Sequence, residues 1–147
     1  TPAQPATLAS ESRVSTSHHM PAITAVNDRL IPKSADDRSV PYWHTWPSKG
    51  TTEWIQYDFA AAATVQSATV YWFDDGPWGG CRVPQSWRIL YRDAAGEWQP
   101  VQNPDKYPTQ KGAACTVNFE PVETSALRLE MQQPEDNSIG VLEWSVR

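Results

Sequence analysis

The sequence of 147 residues is long enough for one domain built around a single hydrophobic core. Its 39% hydrophobic and 20% charged residues are typical of a globular protein, and no apolar run approaches the roughly 20 residues of a transmembrane helix. The formal net charge of −5 argues against nucleic acid or an anionic membrane as the main partner, because both attract basic surfaces.

The chain begins with a stretch rich in Pro, Ala and Thr that lacks an initiator Met. We interpret residues 1–7 as a linker or frayed terminus at the trimmed edge of a longer polypeptide, and residues 8–147 as a single domain. Residues 21–28, which start with Pro, are the one stretch that favours a helical turn. The connection from Asn27 to Lys49 contains no convincing strand, and such a long irregular connection is typical of a functional loop.

Alternating apolar residues predict a series of short strands after this connection. The clearest runs are WIQYDF, SATVYWF, SWRILYR, ALRLEMQ and IGVLEWSVR, with EWQPV and CTVNF as shorter candidates. Turn-forming stretches such as DDGPWGG, DAAGE, NPDKYP and PEDN separate these runs. About eight short strands with almost no helix predict an all-β fold, an antiparallel β-sandwich.

Eight tryptophans are more than one core of this size needs, so some of them are expected at a binding surface. Two segments combine them with polar groups: YWHTW at 42–46 and DDGPWGGCR at 74–82. Sugars present apolar C–H faces that stack on indole rings, and hydroxyls that suit charged and imidazole side chains. The expected ligand-binding residues are Trp43, His44, Trp46, Asp74, Asp75, Trp78 and Arg82.

These residues have different expected roles. Trp43 and Trp78 are the best candidates for stacking on a sugar face, while Trp46 either shapes the floor of the site or belongs to the core with Trp72. Trp54, Trp87 and Trp144 lie in strands, where core packing is favoured. Asp74 and Asp75 either bind ligand hydroxyls or cap the turn by accepting hydrogen bonds from backbone N–H groups.

The sequence contains none of the usual catalytic motifs: no GxSxG, HExxH, P-loop or Rossmann glycine fingerprint. Asp74 and Asp75 are consecutive in a turn, whereas the two carboxylates of a glycosidase must flank the scissile bond at ~5–10 Å. We therefore expect no enzyme activity from this chain. Cys81 and Cys115 allow one disulfide or two buried free thiols, and the sequence leaves both open.

Four stretches occur in a familiar order: AVNDR, TEWIQYDF, RILYRDAAGEWQPV and ALRLEM followed by SIGVLEWSV. From about Leu8 to Arg147 the chain resembles the discoidin-like (coagulation factor type C) family of galactose-binding-like domains, which includes many bacterial carbohydrate-binding modules. The resemblance implies a β-sandwich jelly roll. It also implies a non-catalytic module of a secreted, periplasmic or cell-surface bacterial glycoside hydrolase, which directs that enzyme to a plant or bacterial polysaccharide.

The resemblance further implies a structural Ca²⁺, for which hard oxygen ligands are suited. The matching positions are the side chains of Asp28 and Glu143, the main-chain carbonyls of Ala25 and Leu30, and Ser34 in place of a Thr that this sequence lacks. Arg29 stands where the family has Gly. The alternative is that Asp28 caps a turn and Glu143 meets an arginine.

Two other functions are weighed against glycan binding. In the first, the domain is a structural accessory whose aromatic loop packs against a parent enzyme, because exposed tryptophans also suit a domain interface. The second is adhesion to membranes or proteins, as in other discoidin relatives, and the acidic loop counts against it. The expected partners are therefore a carbohydrate and a covalently linked catalytic domain, with neither nucleic acid nor membrane.

Overall fold

A computed structural model describes residues 5–147. This part of the chain folds into eight strands and one short helix: β1 (Arg13–Thr16), a 3-10 helix (Ile23–Asn27), β2 (Trp43–His44), β3 (Thr52–Phe73), β4 (Cys81–Arg82), β5 (Ser86–Arg92), β6 (Trp98–Pro100), β7 (Cys115–Gln132) and β8 (Ser138–Val146). The helix confirms the helical turn predicted at residues 21–28. The predicted linker at residues 1–7 falls largely on residues 1–4, which lie outside the described residues.

The strands form one continuous network of pairings in the order β2-β8-β3-β7-β5-β6. Strand β1 pairs with β3, and β4 pairs with β8. Among the described residues the pairings are antiparallel except that of β4 with β8, which is parallel. The all-β prediction is therefore confirmed. No helix in residues 5–147 combines the length and the apolar character that crossing a membrane requires.

Two long strands build the layers of the sandwich. The pairing of β3 with β7 shifts register between Asp58 and Ala63, so each strand has two halves. Strands β1 and β5 pair with the halves of β3 and β7 on one side of this shift, and β8 pairs with β3 on the other. The sequence predicted four separate strands here. The two halves of each strand are one element because pairing resumes after the irregularity instead of ending at it.

The core lies between the two layers and is formed by the alternating residues that the sequence identified. Ile55 and Tyr57 of β3, and Leu127, Leu129 and Met131 of β7, are fully buried. Side chains of this size each stabilise the fold by about 1.5–3 kcal/mol when they leave water. The predicted inward faces of these strands are thus confirmed.

Aromatic rings join the layers. Tyr57 stacks on Trp144 of β8 with ring centroids 3.9 Å apart, and Trp72 of β3 meets the edge of Trp87 of β5 at 5.3 Å. The predicted core positions of Trp72, Trp87 and Trp144 are confirmed.

Trp54 is different, and the prediction that it packs in the core is wrong. Its side chain is half-buried on the outer side of the sheet, where the Arg128 guanidinium lies 4.0 Å from its ring centroid and 4.4 Å from that of Trp98. The arginine stacks between two indoles, so part of this aromatic surface is covered by a polar side chain instead of by the core.

Both cysteines are free thiols, and both are buried. Cys115 belongs to the main core, whereas Cys81 belongs to a smaller cluster with Phe73 and Leu142. The structure therefore selects two separate thiols from the two alternatives that the sequence left open.

Candidate functional site

A pocket of about 340 Å³ opens beside β2 and β4 at one edge of the strand network. It is lined by aromatic rings, two charged side chains and the backbone of a glycine pair. The lining residues are Arg38, Tyr42, His44, Trp46, Phe73, Asp75, Trp78, Gly79, Gly80 and Cys81. The two segments that the sequence singled out, 42–46 and 74–82, therefore meet at one site. Outside these segments, the connection between Asn27 and Lys49 adds Arg38, and the end of β3 adds Phe73.

Asp74 holds the start of the loop between β3 and β4, which spans residues 74–80. Its carboxylate accepts hydrogen bonds from the backbone N–H groups of Gly76 and Val83, both at 3.0 Å, and lies 3.2 Å from Lys111 Nζ. The side chain is buried and is not among the pocket-lining residues. Its oxygens already have protein donors, and the expected binding of ligand hydroxyls by Asp74 stays a prediction. Its alternative role, capping the turn, is confirmed.

Asp75 and Arg82 fix the inside of the same loop. Asp75 Oδ1 accepts from the Cys81 backbone N–H at 2.9 Å, and Asp75 Oδ2 accepts from Arg38 Nη2 at 3.0 Å. Arg82 Nη1 donates to the carbonyls of Gly79 and Cys81 at 2.7 and 2.8 Å. Arg82 thus holds the loop through its backbone carbonyls and does not line the pocket, and its expected contact with ligand stays a prediction. Asp75 does line the pocket, as predicted, while also capping the turn.

Two tryptophans form the exposed rim of the pocket. Trp78 at the loop tip is 94% exposed and Trp46 is 57% exposed. A Cβ atom on Gly80 would lie 2.5 Å from Trp46 Cδ1, so only glycine lets this loop approach the indole so closely. The predicted surface position of Trp78 is confirmed. Trp46 does not belong to the core, and it forms a wall of the site rather than its floor.

Trp43 corrects the sequence-based prediction most strongly. It was expected to be a surface tryptophan, but it is 0% exposed. Strand β2 pairs Trp43 with Val141 of β8, and the indole N–H donates to the His18 carbonyl at 3.1 Å. Trp43 therefore cannot stack on a ligand, because its ring is enclosed by the protein.

His44 lines the pocket, as predicted, and its Nδ1 is buried without a hydrogen-bond partner among the described residues. Burial lowers the pKa of His44, its electrostatic interaction with His18 lowers the pKa further, and Asp75 opposes both effects. The imidazole is accordingly neutral at pH 7, when it presents one donor and one acceptor.

Six lining residues are absent from the expected ligand-binding set: Arg38 and Phe73 lie outside the two segments, whereas Tyr42, Gly79, Gly80 and Cys81 lie within them. Tyr42 and Phe73 stack with ring centroids 3.9 Å apart and an interplanar angle of 8°, and the Arg38 guanidinium carbon lies 5.8 Å from the Phe73 centroid. The length of the irregular connection signalled that it was functional. Nothing in the sequence indicated which of its residues would reach the 74–82 segment.

The candidate Ca²⁺ ligands Asp28 and Glu143 lie together between the 3-10 helix and β8. Glu143 is buried, and its Oε1 has no hydrogen-bond partner among the described residues, whereas Oε2 accepts from the Arg29 backbone N–H at 3.1 Å. The pKa of Glu143 is raised to about 9, first by burial and then by a hydrogen bond to the Asp28 carboxyl and by its charge, with Arg29 opposing. Arg29 adopts a left-handed backbone with φ of 68°, the conformation that the family's glycine would favour.

These features fit a hard cation, since two neighbouring carboxyl groups and one unpartnered buried oxygen are suitable donors for it. The described residues hold no group of three or more His, Cys, Asp or Glu side chains that could bind a metal ion together, so carbonyls or water must complete such a site. The Ala25 carbonyl lies 3.5 Å from the Asp28 backbone N, and Leu30 N–H donates to Asp28 Oδ1. The hydroxyl of Ser34 donates to Asp36 at 2.9 Å, so as placed it is engaged away from this pair.

A family model matches almost the whole chain. The F5/8 type C domain model aligns with residues 7–144, which is close to the range of the resemblance seen in the sequence.

Solved structures support the same fold. A structure from the Streptococcus pneumoniae β-galactosidase BgaA has a TM-score of 0.75 at 22% identity and covers 92% of this chain and 90% of its own. The family 32 carbohydrate-binding module of Clostridium perfringens NanJ, in complex with galactose, has a TM-score of 0.70 at 17% identity, with 95% of both chains covered. A further Clostridium perfringens module, in complex with GalNAc-β-1,3-galactose, has a TM-score of 0.69 at 11% identity and covers 95% of this chain and 96% of its own.

Proposed function

Because this chain belongs to the F5/8 type C domain family, we propose that it is a non-catalytic carbohydrate-binding module that uses the pocket between segments 42–46 and 74–82. The neighbouring modules solved with galactose and with GalNAc-β-1,3-galactose support a sugar as the ligand class. In the full form of the proposal, the module is linked to a secreted bacterial glycoside hydrolase and directs that enzyme to a polysaccharide.

The observation that carries the proposal is the exposure of Trp78 beside a concave site. A 94% exposed indole contributes almost nothing to the folded core, and two rim tryptophans next to a pocket offer stacking surfaces for a sugar ring. In this arrangement Trp78 stacks on an apolar sugar face, Trp46 borders the opposite wall, and His44 and Arg38 hydrogen-bond the hydroxyls. Asp74 and Arg82 keep the loop in shape.

The test is a glycan screen that follows tryptophan fluorescence of the domain, with calcium present, against plant and bacterial saccharides. We expect a saturable shift with one sugar, and a loss of affinity of at least about tenfold in Trp78→Ala. The free energy of unfolding should change by less than about 0.5 kcal/mol, because the removed side chain is exposed. The matched control is Trp98→Ala, which removes a half-buried indole from the edge strand β6 and should leave affinity unchanged.

Two results would overturn the proposal. One is retained glycan binding by Trp78→Ala together with a large loss of stability. The other is a well-folded domain whose tryptophan fluorescence shifts with none of the glycans in a broad panel. That result would favour the accessory role if the domain then associates with a catalytic domain.

We further propose that Asp28 and Glu143 hold a Ca²⁺ ion. The buried Glu143 Oε1, which accepts no hydrogen bond from an N–H or hydroxyl donor of the described residues, and the nearby Asp28 carboxyl support this proposal. When bound, the ion would neutralise the buried Glu143 and the half-buried Asp28, and it would tie the turn after the 3-10 helix to β8. Because this position lies outside the set of residues that line the pocket, the role is structural.

A further inference from the structure

Arg38 brings a positively charged group to the wall of the pocket. Its side chain is 63% exposed, and the structure records one hydrogen bond from it, from Nη2 to Asp75 Oδ2 at 3.0 Å. The guanidinium carbon lies 5.8 Å from the centroid of Phe73, which is itself stacked on Tyr42. One N–H edge of the planar Arg38 guanidinium is therefore held by Asp75, and the remaining N–H donors of the guanidinium are available to a ligand.

Acceptors, in contrast, are scarce in the same pocket. Asp75 is the one acidic side chain among the lining residues, and its side chain is only 13% exposed. Its oxygens accept from the Cys81 backbone N–H and from Arg38, and Arg82 Nη1 lies 3.9 Å away. The charge of Asp75 is thus shared between two arginines, so Arg38 is only partly neutralised.

The exposed polar groups of the rim are also donors. The indole N–H groups of Trp46 and Trp78 can donate but not accept, whereas the Tyr42 hydroxyl and the His44 imidazole can each do both. A neutral sugar ring brings about as many hydroxyl donors as acceptors, which this lining satisfies only in part. A ligand that carries extra acceptor oxygens and a negative charge fits it better.

We propose that the pocket selects an acidic sugar, whose ring carries a carboxylate or a sulfate ester that pairs with the free N–H donors of Arg38 while Trp78 stacks on the ring. This inference rests on the proposed carbohydrate binding and names the ligand class of the same pocket. A guanidinium presents two parallel N–H groups that match a carboxylate or sulfate edge, and charge-assisted pairs of this kind are about twice as strong as neutral hydrogen bonds.

The experiment compares sugars that share the same ring configuration and differ in the group at C6, by isothermal titration calorimetry on the intact chain. The pairs are galacturonate with galactose, glucuronate with glucose and mannuronate with mannose, together with the corresponding 6-sulfates. Within at least one pair, the acidic sugar should bind about tenfold more tightly or better, and that preference should fall as salt is raised because exposed charges are screened. The uronate and sulfate arms show which anionic group is preferred.

Arg38→Gln should remove the preference, because it weakens binding of the acidic sugar far more than binding of the neutral sugar, and an unchanged unfolding temperature would show that the fold is kept. Arg38→Lys, which retains the charge without the planar guanidinium, should keep part of the preference. The matched control is Arg13→Gln, which removes another exposed arginine near an aspartate, Asp58 at 4.0 Å, on a strand that does not line the pocket.

Three outcomes would overturn the inference. If acidic and neutral sugars bind the wild-type protein equally, or if Arg38→Gln keeps the preference, the pocket is a sugar site without selectivity for charge. If neither kind of sugar binds the folded protein, the proposed function fails together with the inference.

Discussion

Trp43 and Trp46 lie three residues apart in one aromatic segment, yet the first is 0% and the second 57% exposed. Trp43 is held by the pairing of β2 with β8, which places its ring between the layers of the sandwich. Trp46 follows the end of β2, where its indole lies against Gly80 and borders the pocket. The difference shows that strand pairing, rather than residue type or local sequence, separates the tryptophans that stabilise the fold from those available to a ligand.

The largest expected effect lies in the interior. Trp144→Ala should lower the free energy of unfolding by about 3–5 kcal/mol, because it leaves a cavity opposite the stacked ring of Tyr57. Chemical denaturation measures this loss, and Trp144→Phe should lose less because it keeps an aromatic ring. A loss below about 1 kcal/mol would contradict the assignment of Trp144 to the core, and would remove the contrast with Trp78.

The next largest effect is expected from substitution of Asp74, because its carboxylate anchors the loop that carries Trp78. Asp74→Ala leaves the backbone N–H groups of Gly76 and Val83 without their acceptor, which should cost about 1–3 kcal/mol of stability. Glycan affinity should fall as well, since the loop that carries Trp78 loses its anchor. The control is Asp136→Ala, an exposed position, which should change neither quantity. Unchanged stability in Asp74→Ala would show that the loop does not depend on this carboxylate.

Calcium should stabilise the protein from a region outside the pocket lining. A ligand at a hundredfold excess over its Kd adds about 2.7 kcal/mol, so the unfolding temperature should rise when calcium replaces EDTA. Glu143→Gln should abolish this rise, because the amide keeps the shape but loses the charge. If the unfolding temperature of the wild-type protein is the same in calcium and in EDTA, the proposed calcium site is refuted. A calcium response that survives Glu143→Gln would refute this choice of ligands.

The smallest expected effect concerns the thiols. Burial raises the pKa of Cys81 to about 12, with the charges of Asp75 and Asp74 adding to it, and burial also raises the pKa of Cys115. Because the thiolate is the reactive form, neither cysteine should react with Ellman's reagent at pH 8 in the folded state, and both should react in denaturant. Rapid labelling of Cys81 in the native protein would mean that the pocket wall opens.

Much of the fold was predictable because it depends on local pattern. The alternation of Leu127, Leu129 and Met131 identifies a buried face without any knowledge of its partner strand. The joining of predicted strands into β3 and β7 was not predictable, since the pairing that resumes after the register shift between Asp58 and Ala63 depends on the partner strand.

The site was predictable in part. The exposed position of Trp78 was predicted correctly because glycines and a proline keep its loop out of a strand, so the indole is not packed between the layers of the sandwich. Trp43 was assigned wrongly because the two-residue strand β2 is too short to produce an alternating pattern. Arg38 was missed because its role depends on reaching Asp75, which is 37 positions away in the chain.

The sequence by itself determined the class of fold, the inward faces of the strands and the two segments that meet at the pocket, because hydrophobic period and turn chemistry are local properties. Only the tertiary structure decided which tryptophan is enclosed, which carboxylate is occupied by backbone donors and which arginine reaches the pocket wall. These outcomes depend on which distant segments pack together. They also depend on whether a polar atom hydrogen-bonds within the protein or stays available to a ligand.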